Sequence, residues 1–436
     1  MPLLALALSL LAEPPVLPTD GTLTTTVTTV DGRPIEGATA SLGWFGTSDG
    51  SSYQWPDAAG DPPNGTTDRR GRVALPFLRS EPSSGLAVTA VAVRVSHPDH
   101  VASELREDVT GTPPFAATRV LRPGLRFKLR PTLDGRPVDS EAVRVRQYRG
   151  AFPADVAAEV VPGGVRTHAV DPDAGPLRLT LADGSAFSGL ISTKAGADQT
   201  VSLAAGRPVR GRLTGVDGPV RRGYVDAFLT VADERTGALL LGRAGAAVAE
   251  DGTFTVPHVP PEADLQITAI CEGFASAPPG PAAHAAAAER YNEPADATGR
   301  ELFAVPQVHS SESTAAVAMR PTVGVAVRVL NADGSPAAGV TVGTTPNISP
   351  LGLGAFAFAN LGSKLGYNTK APPFPWKAVT DTDGRCVIED VPPGIHLFEV
   401  RLGDWRDGTA VDLPADGELR FEVTPADPPR VIRLRG

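Results

Sequence analysis

Histidine side chains can bind a transition metal or carry protons. The spacing of the histidines is therefore the first sign of chemistry to look for in this chain. They lie at positions 97, 100, 168, 258, 284, 309 and 396. They form no HExxH motif and no cluster with cysteine, the arrangements typical of zinc sites. His97 and His100 are the one neighbouring pair, and a zinc or copper site there would need further ligands from elsewhere. We interpret the pair as solvated turn residues and expect no metal site.

A run of alternating oxygen donors, Asp381–Gly384 (DTDG), resembles the start of a calcium-binding loop. Such a loop closes with a bidentate acid at its twelfth position. Here that position holds Pro392. We therefore predict that Asp381 caps a turn, and we expect no bound cofactor.

Nucleophilic catalysis would need a GxSxG elbow between a strand and a helix, or a cysteine with a partner histidine. The segment Gly184–Gly189 (GSAFSG) lacks the elbow spacing. Cys271 and Cys386 fall in different copies of the repeat described below, and each is interpreted as a buried small hydrophobe. No glycine-rich loop that could cradle a phosphate opens a helix. The sequence therefore predicts a protein that is not an enzyme.

Aromatic side chains are the remaining sign of binding, because flat rings in exposed loops can stack on sugars. Two groups lie in or beside insertions: Trp44, Phe45, Tyr53 and Trp55, and then Tyr367, Phe374 and Trp376. Core packing is favoured for most of them, with Tyr53 and Trp55 as the exceptions. The candidate ligand-binding residues are Trp44, Tyr53, Trp55, Tyr367 and Trp376.

The elements that would position these side chains recur along the chain. Each copy has an apolar run, an Asp-Gly turn, a stretch of small residues, and a second Asp-to-Gly turn that leads into another apolar run. In the fourth copy these parts are Val325–Leu330, Asp333–Pro336, Ala338–Val342 and Asp381–Ile388. Glycine adopts positive φ without penalty and Asp can bond its own backbone, so both turns favour hairpins. Alternating residues such as Thr253–Val256 (TFTV) are typical of half-buried strands.

The copies begin near Gly32, Gly135, Gly218 and Gly334, roughly 80 to 120 residues apart, which is the size of a β-sandwich. The 46 glycines and 43 prolines fit many turns and leave little room for long helices. One short helix is predicted, at residues Pro281–Arg290. We therefore predict an all-β chain of tandem immunoglobulin-like or transthyretin-like antiparallel β-sandwich modules.

The clearest departure from the repeat is a long apolar insertion in the fourth copy, Ile348–Pro375. An apolar loop must pack somewhere. We expect it to fold over its own sandwich, and contact with another domain or another chain is the alternative.

Charge and the first residues bear on partners and location. A formal net charge of −9 without a basic cluster argues against nucleic-acid binding. The apolar run Leu3–Ala12 has the length of a secretory signal peptide and is too short for a membrane span. No Lys or Arg precedes the run, and a wrongly chosen start codon or an apolar strand is the alternative. We predict an exported protein without a transmembrane span.

The turns of the repeat resemble those of carboxypeptidase regulatory-like domains. The matching residues are a DGxPxxGxxV pattern from Asp333, a DxxGRF-like turn from Asp381, and VPPG at Val391–Gly394. The third and fourth copies match well, the first matches at both turns, and the second matches loosely. That family shares a transthyretin-like or carbohydrate-binding-like β-sandwich and is close to Cna-B modules. The resemblance implies Greek-key sandwiches in exported bacterial proteins, usually as non-catalytic accessory modules.

Cna-B-like modules sometimes carry an isopeptide bond between a buried Lys and an Asn, and the resemblance raises that chemistry here. No Asn occurs between Asn64 and Asn292, so Lys128 and Lys194 lack an Asn partner in their own copies. The remaining lysines lie in or beside the insertion of the fourth copy. We expect no self-made cross-link.

The predicted organisation is a signal peptide and leader at residues 1–19 and four sandwiches at 20–120, 121–206, 207–321 and 322–436, of which the second is the most divergent. We predict a non-catalytic exported bacterial protein with a structural, adhesive or spacer role at the cell envelope. Its expected partners are glycans or other envelope proteins. Two alternatives are a carbohydrate-binding protein that uses the aromatic insertion loops, and an accessory subunit of a secreted hydrolase.

Overall fold

A computed structural model of the chain describes residues 20–48, 52–55, 61–81, 86–291, 307–310, 314–346, 376–402, 405–415 and 417–423. The predicted leader at 1–19, Tyr367 and the insertion Ile348–Pro375 lie outside the described residues. The chain divides into two compact units. The first is Met1–Arg130, Val156–Asp173 and Thr193–Thr200; the second is Pro131–Asp155, Ala174–Ser192 and Val201–Gly436.

The first module is a sandwich of two sheets. Its strands are β1 Gly21–Thr29, β2 Thr39–Thr47, β3 Ser52–Gln54, β4 Asn64–Thr66, β5 Arg72–Phe77, β6 Val88–His97, β7 His100–Asp108 and β8 Phe115–Leu121. One sheet has the order β5-β1-β8, and the other has the order β3-β2-β6-β7 with β4 also on β2. Every second residue of β5 and β8 is buried, because a strand turns alternate side chains to opposite faces. The predicted period of two is confirmed.

The second, divergent copy is divided between the two units. Its strands are β9 Lys128–Leu133, β10 Arg136–Pro137, β11 Val143–Arg149, β12 Phe152–Val156, β13 Ala158–Val161, β14 Gly164–Thr167, β15 Leu177–Leu181, β16 Ala186–Ser188 and β17 Asp198–Ala205. In the first unit, β13 and β14 form a hairpin, and β14 pairs with the start of β9. In the second unit, β11 pairs with β15, β15 with β16, and β16 with the end of β17.

The third module contains the predicted helix. Its elements are β18 Arg207–Thr214, β19 Tyr224–Asp233, β20 Gly237–Ala247, β21 Thr253–Val259, β22 Asp264–Cys271, β23 Phe274–Ser276, α1 Pro281–Arg290, β24 Gln307–Ser310 and β25 Ala315–Pro321. The strand order is β20-β19-β22-β23-β25-β18-β21, with β24 on β22. Helix α1 has the bounds expected from the sequence, and its proline lies in the first turn, where no intrahelical amide bond is lost.

The fourth module again has two sheets. Its strands are β26 Val323–Asn331, β27 Thr341–Pro346, β28 Lys377–Val379, β29 Arg385–Val391, β30 Gly394–Leu402, β31 Trp405–Leu413 and β32 Leu419–Val423. The orders are β29-β26-β32 and β28-β27-β30-β31. The core of this module includes four fully buried side chains, Val327, Val340, Phe398 and Val400. The prediction of an all-β chain of tandem sandwich modules is confirmed.

The first and last strands of three modules pair in parallel, which the sequence analysis did not anticipate. These pairs are β1 with β8, β18 with β25, and β26 with β32. Parallel strands run in one direction, so the chain enters each of these modules at one end of the sandwich and leaves at the other. A module of this kind adds length to a chain.

The repeated turns have the predicted glycine conformation. In the first turns, Gly32, Gly135, Gly218 and Gly334 have φ between +75° and +84°. In the second turn of the fourth module, Gly384 has a φ of +70°, and a Cβ there would lie 2.4 Å from the Val329 carbonyl oxygen. Only glycine fits such a position without distortion.

Both cysteines are free thiols, Cys271 buried and Cys386 half-buried. Within the part of the chain that the structure describes, no helix is both long and apolar enough to cross a membrane.

Candidate functional site at the module junctions

Two of the three candidate aromatic residues of the first module, Tyr53 and Trp55, pack on or into its core. Trp55 is buried at 8 % exposure. Tyr53 is half-buried, and its ring stacks on Phe45 with centroids 5.7 Å apart. Trp44 is half-buried, and the Arg106 guanidinium lies 5.9 Å from its ring centroid. Little of the Trp55 ring is therefore open to a ligand, and sugar stacking by Trp44 and Tyr53 stays a prediction.

Trp376 of the fourth module is also buried, at 8 % exposure. Its indole Nε1–H donates to the Asp390 carbonyl oxygen at 2.9 Å. Trp376 thus joins a core and bonds to a strand. Tyr367 lies outside the described residues, so the structure does not bring it together with the other candidates.

The carboxylate of Asp381 caps its turn as predicted. Its Oδ1 accepts from the amides of Asp383 and Arg385, each at 2.9 Å. His97 and His100 flank the turn between β6 and β7, but they are half-buried rather than solvated. Their Nδ1 atoms lie 3.1 Å apart. Among the described residues, no group of three or more His, Cys, Asp or Glu side chains could hold a metal ion.

A charged residue that the sequence did not reveal lies where the third module meets the fourth. Asp390, near the end of β29, has a side chain 17 % exposed and a positive φ of 58°. Its Oδ1 accepts from the Gly273 amide at 2.8 Å and from Thr322 Oγ1 at 3.4 Å. Its Oδ2 lies 3.4 Å from Arg222 Nη2. One carboxylate of the fourth module therefore binds three segments of the chain that precedes it.

Backbone and apolar contacts close the same junction. Thr322 is the only residue between β25 and β26, and its amide donates to the Gly273 carbonyl at 2.9 Å. Arg320 Nη2 donates to the Pro393 carbonyl at 2.7 Å. Ile270 of β22 is buried within the core cluster of the fourth module. A linker of one residue with contacts on both sides leaves little freedom to bend.

Cys271 lies beside this junction, in the core of the third module. Cys271 is fully buried at the end of β22. Burial, together with the nearby charges of Asp390 and Glu272, raises the pKa of the Cys271 thiol to about 11. A thiol in this state is protonated and unreactive at neutral pH, so its role is packing.

The preceding junction, between β17 and β18, is built in the same way. Gly206 alone separates these strands, and a Cβ there would lie 2.8 Å from the backbone of His258. Arg178 of β15 is 1 % exposed, and its Nη2 donates to Glu262 Oε1 at 2.7 Å. Its guanidinium also lies 5.1 Å from the Phe187 ring centroid. A buried arginine bonded to a carboxylate of the next module holds the two together.

Sequence reasoning missed Asp390 and Arg178 for an identifiable reason. Arg178 occurs in an alternating strand pattern, which predicts that it faces solvent, and Asp390 directly follows an acidic residue at the end of a strand. Their partners lie far away in sequence. The available signal was the short spacing between apolar runs, three residues at 206–208 and at 320–322, which implies that successive modules must touch.

No family model matches this chain, and no curated protein matches it. The resemblance to carboxypeptidase regulatory-like domains therefore stays a prediction. Among solved structures, the chain is similar to the major pilin subunit BcpA of Bacillus cereus, with 9% identity, a TM-score of 0.15, and coverage of 93% of this chain and 98% of that one.

Two further pilins show likeness of the same order. The shaft pilin spaA from Lactobacillus rhamnosus GG has 9% identity and a TM-score of 0.18, with coverage of 70% of this chain and 98% of that one. GBS52, the minor pilin of Streptococcus agalactiae, has 10% identity and a TM-score of 0.25, with coverage of 51% of this chain and 100% of that one. Likeness at such TM-scores assigns neither a family nor a function.

Proposed function

We propose that this chain is a non-catalytic, exported spacer at the cell envelope, built from stiff β-sandwich modules that short linkers join. The observation that carries the proposal is the pair of one-residue linkers, Gly206 and Thr322, each at a junction closed by a charged side chain. The parallel pairing of first and last strands supports it, because each such module transmits the chain from one end to the other.

The energetic argument concerns what bending would cost. Opening the junction of the third and fourth modules would remove the partners of the Asp390 carboxylate and expose Ile270 to water. A hydrogen bond to a charged group contributes about 1.5–3 kcal/mol relative to the hydrated groups, and exposing one large aliphatic side chain costs about 2 kcal/mol. The sum far exceeds thermal energy, so the closed junction dominates at equilibrium.

The test is a distance measurement by electron spin resonance in the full chain. Cys271 and Cys386 are replaced by Ala, and spin labels are placed on cysteines introduced at Thr255 and Val379, which are exposed in the third and fourth modules. We expect a narrow distance distribution. We expect Asp390→Ala to broaden it, because the carboxylate contacts are lost.

The matched control is Glu389→Ala, which removes the exposed neighbouring acid and should leave the distribution narrow. A broad distribution before any junction substitution would mean freely jointed modules and would refute the spacer. Export is tested separately, by the mass of the protein purified from its native host. Retention of Met1 with the run Leu3–Ala12 intact would contradict it.

A further inference from the structure

The neighbouring pair His97 and His100 and the distant His168 lie in one region of the first unit, where the β6–β7 turn of the first module contacts the segment that follows β14. The Ala169 amide donates to the Pro98 carbonyl at 2.8 Å. Leu125 and Val170 exchange two backbone hydrogen bonds, of 3.0 and 2.9 Å. We call this contact the histidine joint; it comprises residues 97–100, 122–126 and 167–170.

The proton positions at His97 follow from its neighbours. The Asp99 amide donates to His97 Nδ1 at 3.2 Å, so this nitrogen presents a lone pair and the ring is neutral. His100 Nδ1 lies 3.1 Å from the same atom and is therefore the donor of that hydrogen bond. A proton added at His97 Nδ1 would oppose the Asp99 N–H, and that hydrogen bond would be lost. The contact with His100 would persist only if the His100 proton moved to Nε2.

Of the charged and titratable groups around His97, Asp99 attracts an added proton, whereas His100, His168 and Arg126 repel it. His97 is faced by His100, Asp99, His168 and Arg126. Asp99 is engaged by Arg126 Nη1, at 3.3 Å from Asp99 Oδ1. An added positive charge would therefore meet the Arg126 guanidinium beside a carboxylate that is already paired.

His168 follows β14 and lies near some of the same charged groups. It is faced by Arg126, Glu159 and Asp99, and Glu159 Oε1 is bonded to Arg126 Nη2 at 2.6 Å. Its Nδ1 is buried and has no hydrogen-bond partner among the described residues. Burial first, and then the neighbouring His100, lower the pKa of His97; burial and Arg126 lower the pKa of His168.

We propose that the histidine joint is an acid-sensitive connection, closed while His97 and His168 are neutral and loosened when they take up protons. This inference goes beyond the spacer role and does not depend on it. The direction follows from linkage. A histidine whose pKa is lowered by folding supports the folded contact fully above its unfolded value of about 6.5, and that support is lost as the pH falls through the folded pKa.

The test is hydrogen–deuterium exchange of the full chain, followed by mass spectrometry on a peptide that contains the Ala169 amide. Protection is compared at about pH 7.5 and about pH 5, a range in which histidine titrates, after correction for the intrinsic exchange rate. We expect the Ala169 amide to lose protection about tenfold at the lower pH. His97→Asn keeps an acceptor in the Nδ1 position without a titratable group, so we expect it to abolish most of this loss.

His258→Asn is the matched control, because His258 is exposed, belongs to the other unit, and has a φ of 51° that asparagine tolerates. It should behave as the unmodified protein does. If His97→Asn prevents folding of the joint at both pH values, the same exchange measurement on His168→Asn decides whether a histidine causes the loss of protection. Equal protection at both pH values, or an undiminished loss in the deciding variant, would overturn the proposal. The readout lies in the first unit, so its failure leaves the test of the Thr322 junction untouched.

Discussion

In the first and fourth modules a buried threonine stands at the equivalent position, directly before the second turn. The third module forms that turn without a threonine there. Thr67 Oγ1 donates to the Ile35 carbonyl at 2.7 Å and accepts from the Ala38 amide at 2.9 Å. Thr380 makes the matching two contacts in the fourth module, at 2.7 and 3.0 Å. In the third module the position is Val248, which packs against the core.

The third module has its buried polar contacts elsewhere. Tyr291, which caps helix α1, is fully buried, and its hydroxyl donates to Asp264 Oδ2 at 2.9 Å. Arg290 Nη2 lies 2.7 Å from the same oxygen. Thr230 lies 3.1 Å from the Tyr291 hydroxyl. The comparison teaches that the turn backbone is common to the modules, while the side chains that secure each sandwich differ.

The largest effect should come from glycines of the second turns. A Cβ on Gly71 or Gly384 would lie 2.4 Å from a backbone carbonyl oxygen, whereas on Gly252 the nearest atom is 3.5 Å away. We expect Gly71→Ala and Gly384→Ala to destabilise their modules by about 3 kcal/mol or more, and Gly252→Ala by about 1 kcal/mol. Calorimetry and module-resolved hydrogen exchange would measure this. Equal losses at the three positions would contradict the comparison.

A second prediction concerns the polar cluster that is particular to the third module. Tyr291→Phe removes a buried donor from Asp264, and we expect it to cost about 2 kcal/mol and to expose α1 to exchange. Burial raises the pKa of Tyr291, so its hydroxyl keeps this proton at neutral pH. Tyr53→Phe, in a half-buried ring of the first module, is the control and should cost less. Unchanged exchange in α1 would show that the cluster does not anchor the helix.

The shared threonines give a smaller effect. Thr67→Val and Thr380→Val each remove two buried hydrogen bonds, and we expect a loss of about 1–2 kcal/mol in the module concerned. Thr380→Ser keeps the hydroxyl and should retain most of the stability. Val248→Thr should not stabilise the third module, since that sandwich packs an apolar side chain there. Module-resolved denaturation would decide, and a clear gain from Val248→Thr would break the comparison.

The smallest expected effect is a pH dependence in the fourth module. His396 is 2 % exposed, and its Nε2 lies 2.7 Å from the Pro392 carbonyl oxygen. Burial lowers the pKa of His396. Its contribution to stability should therefore be complete above about pH 6.5 and should decline as the pH falls through the folded pKa. Calorimetry near pH 7.5 and pH 5, with His396→Gln for comparison, measures it; an equal decline in the variant would assign the effect elsewhere.

Much of the fold was predictable because it rests on local chemistry. The Asp-Gly pairs required positive φ, and Gly32 and Gly334 have it. Alternation predicted strands, and alanine-rich Pro281–Arg290 predicted a helix, because both depend on neighbours in sequence. Asp381 caps its turn for the same reason.

The candidate site was less predictable, because its partners come from distant segments. Arg178 follows the pattern of an exposed strand residue, and contacts from other segments, among them Glu262 of the next module and the Phe187 ring, accompany its burial. The positions of two candidate binding residues were also decided by tertiary packing. Trp55 and Trp376 pack into cores, because burial of a large apolar side chain gives the largest gain in stability.

The sequence by itself determined the all-β class, the turns and the one described α-helix, since backbone propensity and side-chain period act over a few residues. Only the tertiary structure decided the parallel pairing of first and last strands, the closure of the junctions at Gly206 and Thr322, and the contact that places His97 and His168 in one joint. These depend on loop closure over long stretches of chain and on burial that several segments create together.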